Sequence, residues 1–310
     1  MKKRWNDKRY YSLDYYLKET FGEKVYKIAL SGSKTCPNRD GTLGTKVCIF
    51  CSEGGSGDFA QNASLSVTEQ IASGKKLLKE KYTGNKFIAY FQSYTGTYAP
   101  IDYLEKIFFE AIENDDIVAL SIATRPDCLG DEVIDLLYRL NQIKPVWVEL
   151  GLQSIHESTA AFIRRGYDLS CFETALTKLK SIGVLTIVHA IIGLPFETED
   201  MIIETIDYLA HKKIDGIKLQ LLHILKYTEL ADLYNDNFFK ALSLEEYTDI
   251  VVRCIEHLPA NMVIHRITGD GPKNILIAPT WSLNKKLVLN TINKKLKQKN
   301  TYQGRFFIPN

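Results

Sequence analysis

Two runs of sequence, VWVELGL at residues 146–152 and LTIVHAII at residues 185–192, decide the fold of this chain. Both runs are nearly continuous in apolar residues, which is typical of strands in a sheet whose faces are covered. Residues 155–182 between them carry apolar side chains at helical spacing. A strand, a helix and a second strand in this order predict a parallel βαβ unit with a right-handed crossover.

The same alternation runs through most of the chain. It predicts further strands at 25–30, 86–92, 117–124 and 217–224, and helices at 67–81, 101–113, 133–140 and 202–209. Six such units are fewer than the eight of a closed barrel. We therefore expect an α/β fold: a partial (β/α)6 TIM-like barrel over residues 1–230, with a C-terminal α/β extension over residues 231–310 that packs on the barrel. A doubly wound open sheet has the same periodicity and stays an alternative.

Composition narrows the class of protein. The chain has 310 residues, of which 45% are hydrophobic and 25% are charged, as in ordinary globular proteins. These values argue against a disordered, collagenous or disulfide-dense secreted chain. The longest apolar stretch, residues 184–196, is shorter than the ~18 residues of a membrane span, and the charged start leads into no apolar segment. We expect a cytoplasmic protein without a membrane partner.

An excess of basic residues is found at the two ends of the chain. Residues 1–34 carry nine Lys and Arg against four Asp and Glu, and residues 281–310 carry seven Lys and Arg and no acid. Basic ends indicate a polyanionic partner, although basic tails can also simply be solvated. The C-terminal segment is helical by pattern, and we expect Leu283, Leu287, Val288 and Ile292 to dock it with its lysines facing outward.

Three cysteines follow the first strand at the spacing C-x11-C-x2-C: Cys36, Cys48 and Cys51. A structural zinc site needs four ligands, whereas three thiolates leave one iron of a [4Fe–4S] cluster open for another molecule. Soft thiolates suit iron–sulfur chemistry, but zinc with a distant fourth ligand, or unrelated thiols, also fit the pattern. The other cysteines, Cys128, Cys171 and Cys254, are scattered and are expected to be small core residues.

Several motifs follow one another along the chain. They are RYYSLDYYLK at 9–18, CPNRDG at 36–41, GSGDF at 55–59, FQSYTGTY at 91–98, ATRPD at 123–127, ELGLQS at 149–154, RGY at 165–167 and GLPFET at 193–198. With the three cysteines, this series resembles the radical S-adenosylmethionine (SAM) enzymes. It is most similar to their YhcC/YtqA-like branch, which is related to the catalytic subunit of elongator.

The resemblance implies a role for particular residues. Cys36, Cys48 and Cys51 would bind a [4Fe–4S] cluster. SAM would be contacted by residues after the second, fourth and fifth strands: Gln92, Tyr94, Thr95, Glu149, Gln153, Ser154, Arg165 (or Arg164), Gly193 and Leu194. A polar group at the end of an apolar strand faces a ligand or water, which agrees with this placement.

The resemblance also implies a reaction. Cleavage of SAM would generate a 5′-deoxyadenosyl radical, with an electron donor such as flavodoxin or ferredoxin. The substrate would be tRNA, modified on the side chain of the wobble uridine, for example from carboxymethylaminomethyl to aminomethyl. The alternatives are a radical SAM enzyme that acts on a small metabolite or a protein, and a non-catalytic zinc-binding RNA-interaction module.

Residues that would touch the substrate are harder to find, because the cofactor supplies the radical chemistry. Lys218 lies on the sixth predicted strand and His223 at its end, and the polar residues of this strand alternate with apolar ones. His265 follows a predicted C-terminal strand. These three are our candidates, while His189 fits a core position and a pocket position equally well.

Overall fold

The computed structural model describes residues 5–55, 57–79 and 84–309. Seven parallel strands form its main sheet: β1 Tyr26–Leu30, β2 Phe87–Phe91, β3 Ile117–Thr124, β4 Val146–Gln153, β5 Leu185–Ile192, β6 Gly216–Leu221 and β8 Val263–Arg266. Two short strands, β7 Ile224–Leu225 and β9 Leu276–Ala278, pair antiparallel outside it. Within the described residues the sheet follows chain order, without the reversal of a doubly wound sheet. The prediction of a partial barrel is confirmed.

Ten helices of the described residues pack around the sheet, most of them on its outer face. They are α1 Leu13–Phe21, α2 Val67–Leu78, α3 Ile101–Ile112, α4 Asp131–Asn141, α5 Glu157–Phe162, α6 Leu169–Ser181, α7 Glu199–His211, α8 Glu229–Asn235, α9 Leu244–His257 and α10 Lys285–Gln298. Capping boxes at Ser66 and Ser243 start α2 and α9, because serine and the glutamate three residues later satisfy free backbone N–H groups. Lys81, at the end of a predicted helix, lies outside the described residues.

Inside the barrel, side chains from neighbouring strands form layers. Because successive strand residues point to opposite faces, every second residue faces inward. At the amino-terminal end the inward layer is apolar, and Ile88, Ala119, Trp147 and Ile187 pack there with Leu17 of α1. The inward residues two positions further along the strands are polar. The apolar layer and α1 close the amino-terminal end of the barrel, which opens at its carboxyl end.

The C-terminal region adds a strand that sequence analysis did not count among its six. β8 pairs in parallel with β6, and the backbone N–H of Ile264 donates to Tyr11 O at 2.8 Å, which ties the N-terminal segment to the edge of the sheet. His265 and Arg266 therefore lie within a strand rather than after one. None of the helices in the described part of the chain is long and apolar enough to cross a membrane.

Candidate functional site

One cavity at the carboxyl ends of the strands brings together most of the residues selected from the sequence. The predicted residues that line it are Cys36, Cys48, Cys51, Gln92, Tyr94, Thr95, Glu149, Gln153, Arg165 and Lys218. Ser154, Gly193 and Leu194 lie outside it, as do His223 and His265. The strands β2 to β6 thus bring side chains that are far apart in sequence to the wall of one cavity.

The CxxC segment forms a tight turn that is fastened to the protein core. Cys51 N donates to Cys48 O at 2.9 Å. Between the two cysteines, Ile49 is 2% exposed and packs in a cluster with Ile163 and Leu194. Leu194, which was predicted to contact SAM, therefore belongs to the apolar cluster that supports the cysteine turn.

Two side chains donate hydrogen bonds to cysteine sulfurs. Asn38 Nδ2 lies 3.4 Å from Cys48 Sγ, and Arg39 Nη2 lies 3.3 Å from Cys51 Sγ. Burial raises the pKa of Cys48 to about 11 and also raises the pKa of Cys51, although Arg39 opposes the second shift. These thiols are protonated at neutral pH when free, so metal binding must release their protons. The donors on Asn38 and Arg39 then stabilise the thiolates.

The cysteine arrangement fits a cluster better than a single ion. Among the described residues, no three His, Cys, Asp or Glu side chains are placed to hold one metal ion. A structural zinc site needs four ligands around one atom. Three thiols spread over one cavity wall, with hydrogen-bond donors beside two of them, instead suit a group with several metal atoms and an open coordination position.

Two cavity residues adopt backbone conformations that are uncommon outside glycine. Tyr94 has φ +53 and Gln153 has φ +65. The Tyr94 ring lies against Gly55, where an added Cβ would come within 2.1 Å of Tyr94 Cδ1, so this contact needs glycine. At Gln153 the register between β4 and β5 shifts. Strained residues of this kind concentrate at binding sites, where the surrounding structure holds them in place.

Arg165 is 2% exposed and its donors are used within the protein. Its guanidinium donates to the carbonyls of Leu152, Ser154 and Tyr167 at 2.7–3.2 Å and pairs with Glu157 at 3.1 Å. Arg165 thus fixes the loop that follows β4. A contact between Arg165 and SAM stays a prediction. The structure shows that Arg165 also stabilises the protein itself.

A buried charged layer forms the floor of the cavity. Glu149 is fully buried and accepts hydrogen bonds from Ser121 Oγ at 2.8 Å and from Lys27 and Lys218. His189 Nε2 lies 2.7 Å from Glu149 Oε2, the oxygen that also accepts from Lys218. Burial alone would raise the pKa of Glu149, but Lys218, Lys27 and His189 together hold it well below its ordinary value. Glu149 was predicted to contact SAM, and the structure places it among four partners of its own barrel.

Burial shifts the pKa values of two basic groups beside Glu149. Burial lowers the pKa of Lys218 to about 7, with Glu149 opposing the shift and Lys27 adding to it. Burial also lowers the pKa of His189 to about 4. Lys218 Nζ donates to Tyr90 Oη at 3.1 Å. Perturbed titrating groups beside a cavity are typical of functional sites.

Sequence analysis missed several residues of this site. Lys27, Tyr90 and Ser121 belong to the charged layer, and Arg125 and Tyr167 line the cavity. Inward alternation on β1, β2 and β3 is the signal that could have identified the first three. Arg125 stands in the ATRPD motif and forms a bidentate ion pair with Asp127 at 2.7–2.9 Å.

The remaining substrate candidates lie in different places. His223 lines a second cavity of about 340 Å³ that shares Cys51, Gln92, Gln220 and Arg266 with the first. His265 lies toward the amino-terminal end of the barrel, with its ring 5.5 Å from that of Trp147. The structure therefore does not bring His265 into either cavity at the carboxyl end.

Comparison with known proteins finds two family models that match this chain. The Radical SAM superfamily matches residues 31–209, and the Radical_SAM C-terminal domain matches residues 214–298. The chain is 46% identical to YtqA of Bacillus subtilis over 301 residues, which are 97% of this chain and 94% of that protein.

More distant relatives carry names that refer to tRNA or to elongator. A tRNA uridine(34) acetyltransferase of Methanocaldococcus jannaschii is 28% identical over 167 residues, which cover 52% of this chain and 30% of that protein. The structure of Elp3 from Methanocaldococcus infernus superposes with a TM-score of 0.69 at 18% identity, covering 90% of this chain and 64% of that chain. The second match shows the fold alone.

The family match covers the cysteine loop, β2 to β5 and most of the cavity wall, and the relative in Bacillus subtilis matches nearly end to end. This chain therefore belongs to the radical SAM superfamily, whose members use a [4Fe–4S] cluster and S-adenosylmethionine.

Proposed function

We propose that this radical SAM enzyme modifies tRNA at the side chain of the wobble uridine, for example by converting a carboxymethylaminomethyl group to an aminomethyl group. The observation that carries the proposal is the similarity to a protein named for uridine 34 of tRNA, which spans half of this chain. The basic helix α10, which begins beside the second cavity, supports it. We further propose that an electron carrier such as flavodoxin or ferredoxin serves the enzyme in the cytoplasm.

We assign different roles to the residues around the cysteines. Cys36, Cys48 and Cys51 would hold the cluster, while Asn38 and Arg39 stabilise the thiolates. With cluster and SAM bound, the chemistry supplied to this cavity is hydrogen abstraction by a 5′-deoxyadenosyl radical. The protein's own contribution is to orient the reactants and to exclude water.

The polar residues of the upper wall would bind SAM. Gln92, Tyr94 and Thr95 after β2, and Gln153 at the end of β4, present hydrogen-bonding groups toward the cavity. Beneath them the layer around Glu149 and Lys218 forms the floor of the cavity. Its groups are buried and hydrogen-bonded to one another, so this floor would shield the reacting atoms from bulk water.

The surface of α10 supports a polyanionic substrate. At its start, Lys285 pairs with Asp270 on the second cavity at 2.8 Å, and near its end Asn300 Oδ1 accepts from Arg9 at 3.3 Å. The helix thus runs from the cavity to the basic N-terminal segment. Val288 and Ile292 dock it on the body as expected, whereas Leu283 and Leu287 are each 43% exposed, contrary to our expectation.

One lysine of α10 does not face the solvent. Lys295 is 9% exposed and pairs with Glu245 at 2.9 Å and Asp249 at 2.8 Å on α9. The expectation that all of the helix lysines face outward is therefore wrong at this position. Lys286, Lys294 and Lys297 are exposed, and they form the phosphate-binding face that we propose.

Analysis of tRNA nucleosides tests the proposal. Cells that lack this protein should accumulate the precursor of one wobble-uridine side chain and lose its product. A plasmid copy should restore the product, and a Cys36→Ala copy should not. Unchanged nucleosides in the deletion strain would contradict the proposal and favour a small metabolite or a protein as substrate.

A further inference from the structure

The second cavity opens directly beside the cofactor cavity and adds residues that the first one lacks. Phe59, His223 and Asp270 line the second cavity alone. The two cavities share five residues, Phe50, Cys51, Gln92, Gln220 and Arg266, but the second does not reach Cys36. A molecule in this space would lie next to the cluster side of the cofactor cavity without occupying it.

Among the arginines that line these two cavities, Arg266 has the guanidinium that is least engaged in hydrogen bonds and ion pairs. Arg39 donates to Cys51 and Ser52, Arg125 is paired with Asp127, and Arg165 is enclosed by carbonyl groups. The ion-pair partner recorded for Arg266 within the described residues is Asp270 at 3.8 Å.

That partner is itself shared with a second cation. Asp270 lies 2.8 Å from Lys285, closer than it lies to Arg266. Arg266 therefore presents its guanidinium to the cavity with a long and divided ion pair. A planar guanidinium in this situation is well suited to bind a carboxylate through two parallel hydrogen bonds.

His223 provides a neutral partner in the same cavity. Its Nε2 is buried and has no hydrogen-bond partner within the described residues. The ring lies tightly against Gly269, where an added Cβ would come within 2.4 Å of His223 Cε1. A buried polar atom without a partner is costly, so a ligand or a water that pairs with it is favoured.

We infer that Arg266 binds a carboxylate on the substrate side chain, and that His223 pairs with the amine beside it. The inference rests on the proposed function, because a carboxymethylaminomethyl group carries a carboxylate one carbon away from an amine. It adds a specificity determinant: the enzyme should select uridines whose side chain ends in a carboxylate. Arg266 is thereby a substrate-positioning residue, placed where β8 ends beside both cavities.

The test uses two synthetic anticodon stem–loop RNAs. One carries carboxymethylaminomethyluridine, and the other carries the same side chain with its carboxylate converted to a neutral methylamide. For the wild-type holoenzyme we expect kcat/KM to be about 10- to 100-fold higher for the carboxylate RNA, the range of one charged hydrogen-bonded contact. In Arg266→Gln this preference should vanish through a higher KM, while SAM affinity and cluster content are kept. Arg266→Lys should recover part of the preference.

The control is Arg139→Gln, because Arg139 is an exposed arginine on α4 that pairs with Glu105 and Asp135. It should leave the preference intact. If Arg266→Gln keeps the preference, or loses SAM affinity instead, the inference is overturned and Arg266 is a structural or cofactor-binding residue. If the wild-type enzyme turns over neither RNA, the proposed function is wrong, and the inference that rests on it is wrong as well. Equal turnover of both RNAs overturns the inference alone.

Discussion

Lys218 Nζ and Glu149 Oε2 form an ion pair under the cavity in which both side chains are buried, with 6% and 0% of their surface exposed. The two residues lie on β6 and β4, separated by β5. Burial of a charge is unfavourable unless it is paired and hydrogen-bonded, and this layer meets that condition through Ser121, Lys27 and His189. The floor of the active site is thus also a point where the fold is sensitive to single changes.

Glu149→Gln should therefore destabilise the protein strongly. The substitution leaves Lys218 and Lys27 without their anion, and we expect a loss of about 3–5 kcal/mol in the free energy of unfolding, measured by urea denaturation. The control Glu105→Gln breaks an exposed pair with Arg139 and should cost less than about 1 kcal/mol. Adding Lys218→Met to Glu149→Gln should restore part of the loss. Equal small effects of both single variants would contradict the buried-pair argument.

Each of Cys36→Ala, Cys48→Ala and Cys51→Ala should lose most of the bound iron and all SAM cleavage. The three thiols line one cavity, so no other described cysteine can replace a missing one. Cys254→Ala, which changes a buried thiol of α9, serves as the control and should keep its iron. Iron and sulfide analysis of anaerobically purified protein measures the outcome, and loss of iron from folded Cys254→Ala would oppose the assignment.

Gln153→Ala should weaken SAM binding and leave the cluster in place. Gln153 lines the cavity with a strained backbone, and loss of one polar contact costs roughly 1–3 kcal/mol. Equilibrium binding of SAM to the reconstituted protein gives the value. The matched control is Gln142→Ala at the end of α4, an exposed glutamine. Full SAM affinity in Gln153→Ala would show that the cofactor lies elsewhere on the wall.

Stability should fall when the pH is lowered from neutrality toward 4. Burial lowers the pKa of His189 and His223 to about 4, and that of His265 well below its ordinary value of 6.5. At a pH between the lowered pKa of the folded state and the ordinary pKa of 6.5, the unfolded chain binds protons that the folded chain does not. Acid therefore favours unfolding. At pH 5.5 each histidine contributes a loss of about 1 kcal/mol relative to pH 7.5.

His223→Gln tests this pH dependence. The variant should show a smaller drop in the urea midpoint between pH 7.5 and pH 5.5 than the wild-type protein. His211→Gln is the control, because the pKa of this exposed histidine is raised, mainly by its hydrogen bond to a backbone carbonyl. Its stabilising contribution has the opposite pH dependence, so its removal should not reduce the drop. An identical drop in wild type and His223→Gln would argue against a neutral buried imidazole.

Neutralising Lys286, Lys294 and Lys297 together as glutamines should weaken tRNA binding and flatten its dependence on salt. Lysines that contact phosphates release counterions, and the slope falls by up to about one for each contact removed. Lys295 is left unchanged, since its loss would break the packing of α10 on α9.

The control triple variant changes Lys76 and Lys106, which are exposed on α2 and α3, together with Lys213, which is exposed just after α7. It removes the same charge and should keep the salt slope. SAM cleavage without substrate should be unaffected in both proteins. If the two triple variants behave alike, tRNA binding depends on net charge rather than on the α10 face.

The amino-acid sequence by itself determined the alternation of strands and helices, the partial barrel and the three cysteines. These features depend on local information: apolar runs of the right length, helical spacing and cysteine spacing. A strand was predicted before His265, but its place as the seventh strand of the main sheet was not, because β8 has four residues, too few for a reliable periodicity.

Only the tertiary structure decided which side chains meet. Glu149 is paired with Lys27 and Lys218, which lie more than sixty residues away on either side, and the register of the strands brings them into one layer. The same holds for Arg266 beside His223, and for Lys295, which turns toward α9 rather than toward solvent. Electrostatic pairing depends on distance in space, and a single sequence records distance along the chain.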